Sequence, residues 1–243
     1  MNYILIIGAK SDIGKELARI YAKNGYNLFL AARNSNELIE LANDIKIRSN
    51  VDVKIKEFDI VKYETHKDFY NKLEEKPLGV VIVSGYMVEQ NECENDFEKT
   101  LNTISVNYIG AVSILNIISN DMEKNEKGFI IGISSVAGDR GRKANYIYGS
   151  SKAAFSTYLS GLRNRLYKSK VQVLTVKPGF VNTKMTVNLN LPAKLTAEPE
   201  DVANDIYNAQ QKGKDILYTK KIWRFIMFII KHIPECIFKK MSI

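Results

Sequence analysis

Seven short apolar runs recur along the chain, at residues 3–7, 27–32, 51–58, 78–83, 128–133, 171–177 and 216–219, each rich in β-branched or bulky aliphatic side chains. Such runs are strand candidates. Between them the apolar positions follow a helical period, as at Ile13, Leu17, Ile20 and Tyr21 and then at Leu38, Leu41 and Ile45, with Asn24-Gly25 stopping the first. The rhythm is strand, helix, strand, helix. Strands buried on both faces and joined by right-handed helical crossovers make an α/β fold, a doubly wound parallel sheet of about seven strands with helices on both faces. No repeat, low-complexity stretch or linker divides residues 1–219, which read as one domain, with residues 220–243 as a C-terminal extension.

Composition supports a folded chain. Of 243 residues, 45% are hydrophobic and 26% charged, the balance of a globular protein and not of a disordered tail. A chain this long buries roughly 70–75% of its unfolded surface without staples. Two distant cysteines, Cys93 and Cys236, and two histidines, His66 and His232, offer neither a disulfide framework nor a zinc cluster. Residues 1–9 lack a basic leader and break at Lys10, so they read as a first strand and not as a signal peptide, and a cytoplasmic location is expected. The net charge is +8, but residues 220–243 hold six Lys/Arg against the single acid Glu235. The basicity therefore belongs mainly to the tail and points to an anionic surface.

The first strand runs into Gly8-Ala9-Lys10-Ser11-Asp12-Ile13-Gly14 and then into an amphipathic helix. This is the context of a dinucleotide-binding turn in a Rossmann-type sheet: Gly8 permits the tight turn, Gly14 lets helix and strand approach, and free amides at the helix start face a pyrophosphate. Asp12 stands where the usual pattern has its middle glycine. After the second strand, Arg33 takes the place of the carboxylate that would bind a free ribose 2′-hydroxyl, so NADP(H) is favoured over NAD(H). A solvated surface arginine is the plainer reading of Arg33. Asp59-Ile60, after the third strand, is placed to meet the adenine edge, and an Asp there equally caps the next helix.

Ser135 follows the fifth strand, and Tyr148 and Lys152 open a long helix thirteen residues later, on one face by their i, i+4 spacing. A nearby ammonium is expected to lower the tyrosine pKa toward working pH and make it a usable acid/base, with Ser135 holding a substrate oxygen. Together with the Gly8–Gly14 turn, Asp59, Asn107 in Val106-Asn107-Tyr108-Ile109-Gly110, and Pro178-Gly179-Phe180-Val181-Asn182-Thr183, these motifs resemble the classical short-chain dehydrogenase/reductase family over nearly the whole chain. The resemblance implies that Tyr148 is the general acid/base, that Ser135 positions the reacting oxygen, and that Lys152 tunes Tyr148 and binds the nicotinamide ribose. It further implies that Asn107 anchors a proton-relay water and that Val181 and Thr183 meet the carboxamide. Pro178 and Gly179 would join Lys10, Ser11, Asp12 and Ile13 along the cofactor. Ile82-Val83-Ser84-Gly85 replaces the family's Asn-Asn-Ala-Gly run, which leaves the contacts of Ser84 and Gly85 open. A homo-oligomer is expected.

Within the family, the glycine turn, residues 134–142 and the ending from Ile233-Pro234 to Lys240 are most similar to a bacterial subgroup that includes polyprenylphosphoryl-2-ketoribose reductases of cell-envelope synthesis. The resemblance implies a carbonyl substrate on a lipid-linked or phosphorylated sugar. Arg140 and Arg142, between Ser135 and Tyr148, are candidates to clasp a sugar-linked phosphate, and solvated loop arginines are the equal alternative. In the tail, Trp223, Phe225 and Phe228 lie among isoleucines flanked by Lys220, Lys221, Arg224, Lys231, Lys239 and Lys240. Its longest apolar run is six residues against about 20 for a membrane span. The segment therefore either lies in a headgroup layer, making the enzyme peripheral at the inner face of the cell membrane, or packs on the core or a partner subunit. The leading expectation is an NADPH-preferring ketone reductase. The alternatives are reduction of another carbonyl such as a 3-oxoacyl chain, or a non-catalytic NADP sensor or membrane adaptor. Nucleic acid is not an expected partner, because the charge sits in one apolar tail.

Overall fold

In the computed structural model, which describes residues 2–187 and 190–241, all seven apolar runs become strands of one parallel sheet. Met1, residues 188 and 189 within the segment after Phe180, and the last two residues of the tail lie outside the described residues. The first six strands are β1 (Tyr3–Ile7), β2 (Asn27–Ala32), β3 (Val53–Glu57), β4 (Gly79–Ile82), β5 (Phe129–Ile133) and β6 (Gln172–Pro178). A separate ribbon pairs β7 (Phe180–Val181) with β8 (Thr196–Ala197), and β9 (Ile216–Thr219) returns to the main sheet. The order is β3-β2-β1-β4-β5-β6-β9, so the direction of winding reverses between β1 and β4. The crevice at that switch point, beyond the carboxyl ends of the strands, is where ligands bind in open α/β sheets.

Burial explains why the strands read as near-continuous apolar runs. Ile4 and Ile6 of β1 pack into one core with Leu28 and Leu30, and Leu5 and Ile7 pack into the opposite core with Phe29. Helices α1 (Asp12–Lys23), α2 (Ile39–Ser49) and α8 (Pro199–Gln211) cover the first face through Leu17, Tyr21, Leu41, Ile45, Val202 and Ile206. On the second face, α6 (Gly110–Asn125) and α7 (Tyr146–Leu166) contribute Ile114, Ile118, Phe155 and Leu159, each 0–1% exposed. Each such side chain contributes roughly 1.5–3 kcal/mol by burial. Between β3 and α6 run three shorter helices, α3 (His66–Asn71), α4 (Gln90–Asn95) and α5 (Phe97–Ile104), the last joined to α6 by a π-helical turn at Ser105–Ile109. β3 is shorter than its apolar run because it is the sheet edge, where Lys54 and Lys56 lie half-exposed.

The tail forms α9 (Ile222–His232) and α10 (Glu235–Phe238). Trp223 and Met227 are buried in a third cluster with Val136, against which Phe180, Leu195, Tyr218, Ile226 and Ile230 also pack. The indole Nε1 donates to Leu195 O at 3.1 Å, and the ring meets Phe180 edge-on at 5.0 Å. One face of the extension is thus core.

Candidate active site

The turn after β1 is built on missing side chains. Gly8 has φ +90°, and a Cβ there would lie 2.7 Å from the Ser84 amide nitrogen. A Cβ at Gly14 would lie 2.8 Å from both Gly8 O and Ser11 Oγ. Ser11 caps α1, accepting from the Gly14 amide at 3.1 Å and donating to Gly8 O at 2.8 Å. Asp12, in the first turn, has a role that its sequence position conceals: its carboxylate accepts the Lys184 amide at 2.9 Å and ties the glycine turn to the loop after β7.

Gly8, Lys10, Ser11, Arg33, Ser84 and Gly85 line a cavity of about 510 Å³. Lys10, Ser11 and Gly85 also line a neighbouring cavity of about 370 Å³, together with Asp12, Ile13, Pro178, Gly179, Val181 and Thr183. Bare backbone at a helix start, leading to cations beyond β2, fits a dinucleotide: its pyrophosphate would meet the turn and its 2′ end would meet Lys10 and Arg33. Arg33 is exposed, and its carbonyl accepts from Lys10 Nζ, which also pairs with Glu37 at 2.6 Å. Two acids in this corner escaped the sequence reading, Glu37 and Glu57. The Glu57 carboxylate accepts the amides of Asn34 at 3.0 Å and Ser35 at 2.8 Å, bonds that hold its pKa below the ordinary carboxylate value. Ile60 lines the larger cavity, whereas the Asp59 carboxylate accepts the Val61 amide and holds the turn after β3.

Ser135, Tyr148 and Lys152 all line the smaller cavity. They meet because the short turn Val136–Gly138 lies directly on α7: a Cβ at Gly138 would be 2.7 Å from Ala153 N, and one at Gly149 would be 2.8 Å from Ala137 O. Ser134 fastens the end of β5 to α7 through Lys152 O and Ser156 Oγ, which leaves Ser135 for the cavity. Asn107 sits in the π-helical turn, 1% exposed, with its Oδ1 accepting the Tyr86 amide and its Nδ2 donating to Tyr86 O and Ser151 Oγ. Both side-chain donors are spent on positioning Tyr86 and Ser151.

The expected depression of the Tyr148 pKa is corrected. Burial pushes Tyr148 up to about 12, against the opposing hydrogen bond with Ser135. Lys152 is itself pushed down to about 8 by burial. Its ammonium donates to Ile133 O at 3.1 Å and stands 5.8 Å from the Tyr148 ring centre. Desolvation outweighs any help that the ammonium gives a phenolate. Tyr148 is therefore a neutral phenol at neutral pH, ready to donate a proton.

Arg140 is a second correction. It does not line the cavity of Ser135, Tyr148 and Lys152: its Nη1 donates to Ile230 O and Ile233 O, both at 2.6 Å, its Nη2 meets Glu235 at 2.8 Å, and its guanidinium lies 3.7 Å from the Phe238 ring centre. It caps α9 and holds α10. Arg142 does line the cavity, where burial lowers its pKa and its Nε has no hydrogen-bond partner among the described residues. Asn145, a residue without a sequence signal, lines the same cavity with a buried Oδ1 that has no partner among the described residues. Beside them the Asp139 carboxylate is buried and receives bonds from Lys177 and from the Tyr218 hydroxyl at 2.7 Å, anchoring the loop to β6 and β9.

The fold recurs in solved structures of low sequence identity. A short-chain dehydrogenase from Burkholderia cenocepacia in complex with NADP has a TM-score of 0.84 at 21% identity, covering 98% of this chain and 96% of its own. One from Sphingobium yanoikuyae in complex with NADPH has a TM-score of 0.83 at 19% identity, covering 97% of each. An uncharacterized oxidoreductase of Mycobacterium tuberculosis is 32% identical over 98% of this chain and 96% of the relative. Another, from Staphylococcus saprophyticus, is 29% identical over 85% and 90%. The short chain dehydrogenase family profile matches residues 2–194. With that match added to the Ser135, Tyr148 and Lys152 constellation, the chain belongs to the short-chain dehydrogenase/reductase family and is an oxidoreductase.

Proposed function

We propose that this oxidoreductase reduces a ketone to a secondary alcohol with NADPH as the preferred cofactor. The observation that carries the reading is the convergence of a neutral Tyr148 phenol, Ser135 and Lys152 on one cavity that adjoins the glycine-turn cleft. NADPH, when bound, supplies the hydride. Tyr148 gives its proton to the carbonyl oxygen, Ser135 holds that oxygen by a hydrogen bond, and the Lys152 ammonium stabilises the charge that develops. Asn107 keeps Tyr86 and Ser151 in place. The groups available to hold the cofactor are the turn from Gly8 to Gly14, Lys10 and Arg33 at its 2′ end, and the Pro178–Thr183 segment on the carboxamide side.

For the substrate we infer a phosphorylated or lipid-linked keto-sugar used in cell-envelope synthesis. The motif resemblance supports this, and so does the cavity wall: an unpartnered Arg142 Nε and an unpartnered Asn145 Oδ1 call for a molecule with both an acidic group and a hydroxyl. We further infer that the enzyme works from the cytoplasm, at the inner face of the cell membrane, where a lipid-linked sugar would be met. Replacing Tyr148 with Phe tests the catalytic reading. NADPH-dependent reduction across a panel of phosphorylated and neutral ketones should fall roughly 10²- to 10⁴-fold while NADPH binding persists. Full turnover in Tyr148→Phe would refute it.

A further inference from the structure

Helix α9 divides its surface between two environments. Trp223 and Met227 are buried and Ile226 and Ile230 pack against their cluster, whereas Ile222, Phe225, Phe228 and Ile229 are 48–64% exposed. Ile237 and Met241 extend the exposed apolar set past α10. Exposed cations flank it: Lys221, Arg224 and Lys231 on or beside α9, then Lys239 and Lys240. No acid lies within α9, and Glu235 is already paired with Arg140. Lys221, Arg224, Lys231 and His232 also border a shallow concavity of about 420 Å³ with Phe225 and Phe228.

We propose that this face docks on an anionic phospholipid bilayer, with Phe225, Phe228 and Ile229 entering the headgroup layer and the cations pairing with lipid phosphates. Both attractions add for a basic amphipathic helix lying in the interface plane. The eleven-residue helix is ~16 Å long, well short of the ~30 Å hydrocarbon core, so the contact is peripheral. A second copy of the chain is the poorer occupant, since it would bring the same cations face to face with no acid on α9 to meet them. Arg140 and Trp223 fasten the helix to the body of the molecule, so its outward face is already formed for docking. The cluster under α9 includes Val136, the residue after Ser135, so the inward face of the helix packs beside the Tyr148 cavity and the docking face is turned away from it.

The inference goes beyond the reductase reading and is tested without turnover. The full chain is sedimented with vesicles of phosphatidylcholine alone and of phosphatidylcholine mixed with phosphatidylglycerol. Binding should require the anionic lipid and weaken as salt rises. The Lys221→Gln/Arg224→Gln variant should partition roughly 30-fold less, the equivalent of about 2 kcal/mol. Phe225→Ser/Phe228→Ser should also lose binding, with unchanged thermal melting showing that the core face is intact. Equal sedimentation with both vesicle types, no sedimentation, wild-type binding by both variants, or dimers that these substitutions dissolve would each overturn the proposal.

Discussion

At the scale of single residues, the site depends on two groups that burial has moved in opposite senses. Tyr148 is raised to about 12 and Lys152 lowered to about 8, each toward its neutral form. Reduction needs the protonated phenol, which persists across the accessible range, and the charged ammonium, which is lost as pH rises through about 8. The rate of ketone reduction should therefore hold steady below pH 8 and fall above it. In Lys152→Arg the falling limb should move upward, because a guanidinium stays charged, although the rate itself drops with the altered fit. A wild-type profile flat to pH 10 would remove Lys152 charge from the rate-limiting step. Ser135, Tyr148 and Lys152 were legible as candidates because, with the glycine turn, Asn107 and the Pro178–Thr183 segment, they match the family's motifs in order. The roles of Asp12 and Arg140 were not: the Lys184 amide and the Ile230 carbonyl lie 172 and 90 residues away along the chain. Asn145 carried no sequence signal, since its interest lies in the absence of a partner.

At the scale of elements, legibility followed burial. β1 and β2 begin and end where their apolar runs do, because a strand packed on both faces has no polar positions to blur its limits. β7 and β8, two residues each, have no such signature. The tail was ambiguous because both of its readings use the same residue types, and only packing separates the faces. That separation can be measured. A Cβ at Gly179 would lie 1.9 Å from Trp223 Nε1, so the indole rests directly on the segment after β6. Trp223→Ala should cost about 3–5 kcal/mol and lower Tm by roughly 6–20 °C for a chain of this size. It should also slow reduction, because Phe180 and Leu195 lose their support. Phe225→Ala, two positions on and 64% exposed, should change stability by no more than about 0.5 kcal/mol. Equal losses from the two substitutions would mean that both faces of α9 are covered.

At the scale of the whole molecule, the reversal of strand order between β1 and β4 divides the sheet into two halves, and the glycine-turn cleft lies between them. Gly8, Arg33 and Ile60 come from the β1–β3 half, and Ser84, Lys152 and Val181 come from the other. A dinucleotide along this cleft touches both halves, so it binds only when the whole sheet is folded and must stabilise the chain by mass action. At a hundredfold excess over Kd that amounts to about 2.7 kcal/mol, or a rise in Tm of roughly 5–10 °C. The cation reading of Arg33 makes this cofactor-specific. If Arg33 meets a 2′-phosphate, NADPH at the same concentration should raise Tm by roughly 3–6 °C more than NADH, the shift that tenfold tighter binding gives. Arg33→Glu should erase or invert that difference, because a carboxylate repels the phosphate and accepts from a free 2′-hydroxyl. The position is exposed, so the substitution leaves the core alone and the unliganded Tm should not move. If NADPH still leads in Arg33→Glu, Lys10 reads the 2′ group, breaking its pair with Glu37 to do so, and Lys10→Ala would then be the variant that levels the two cofactors.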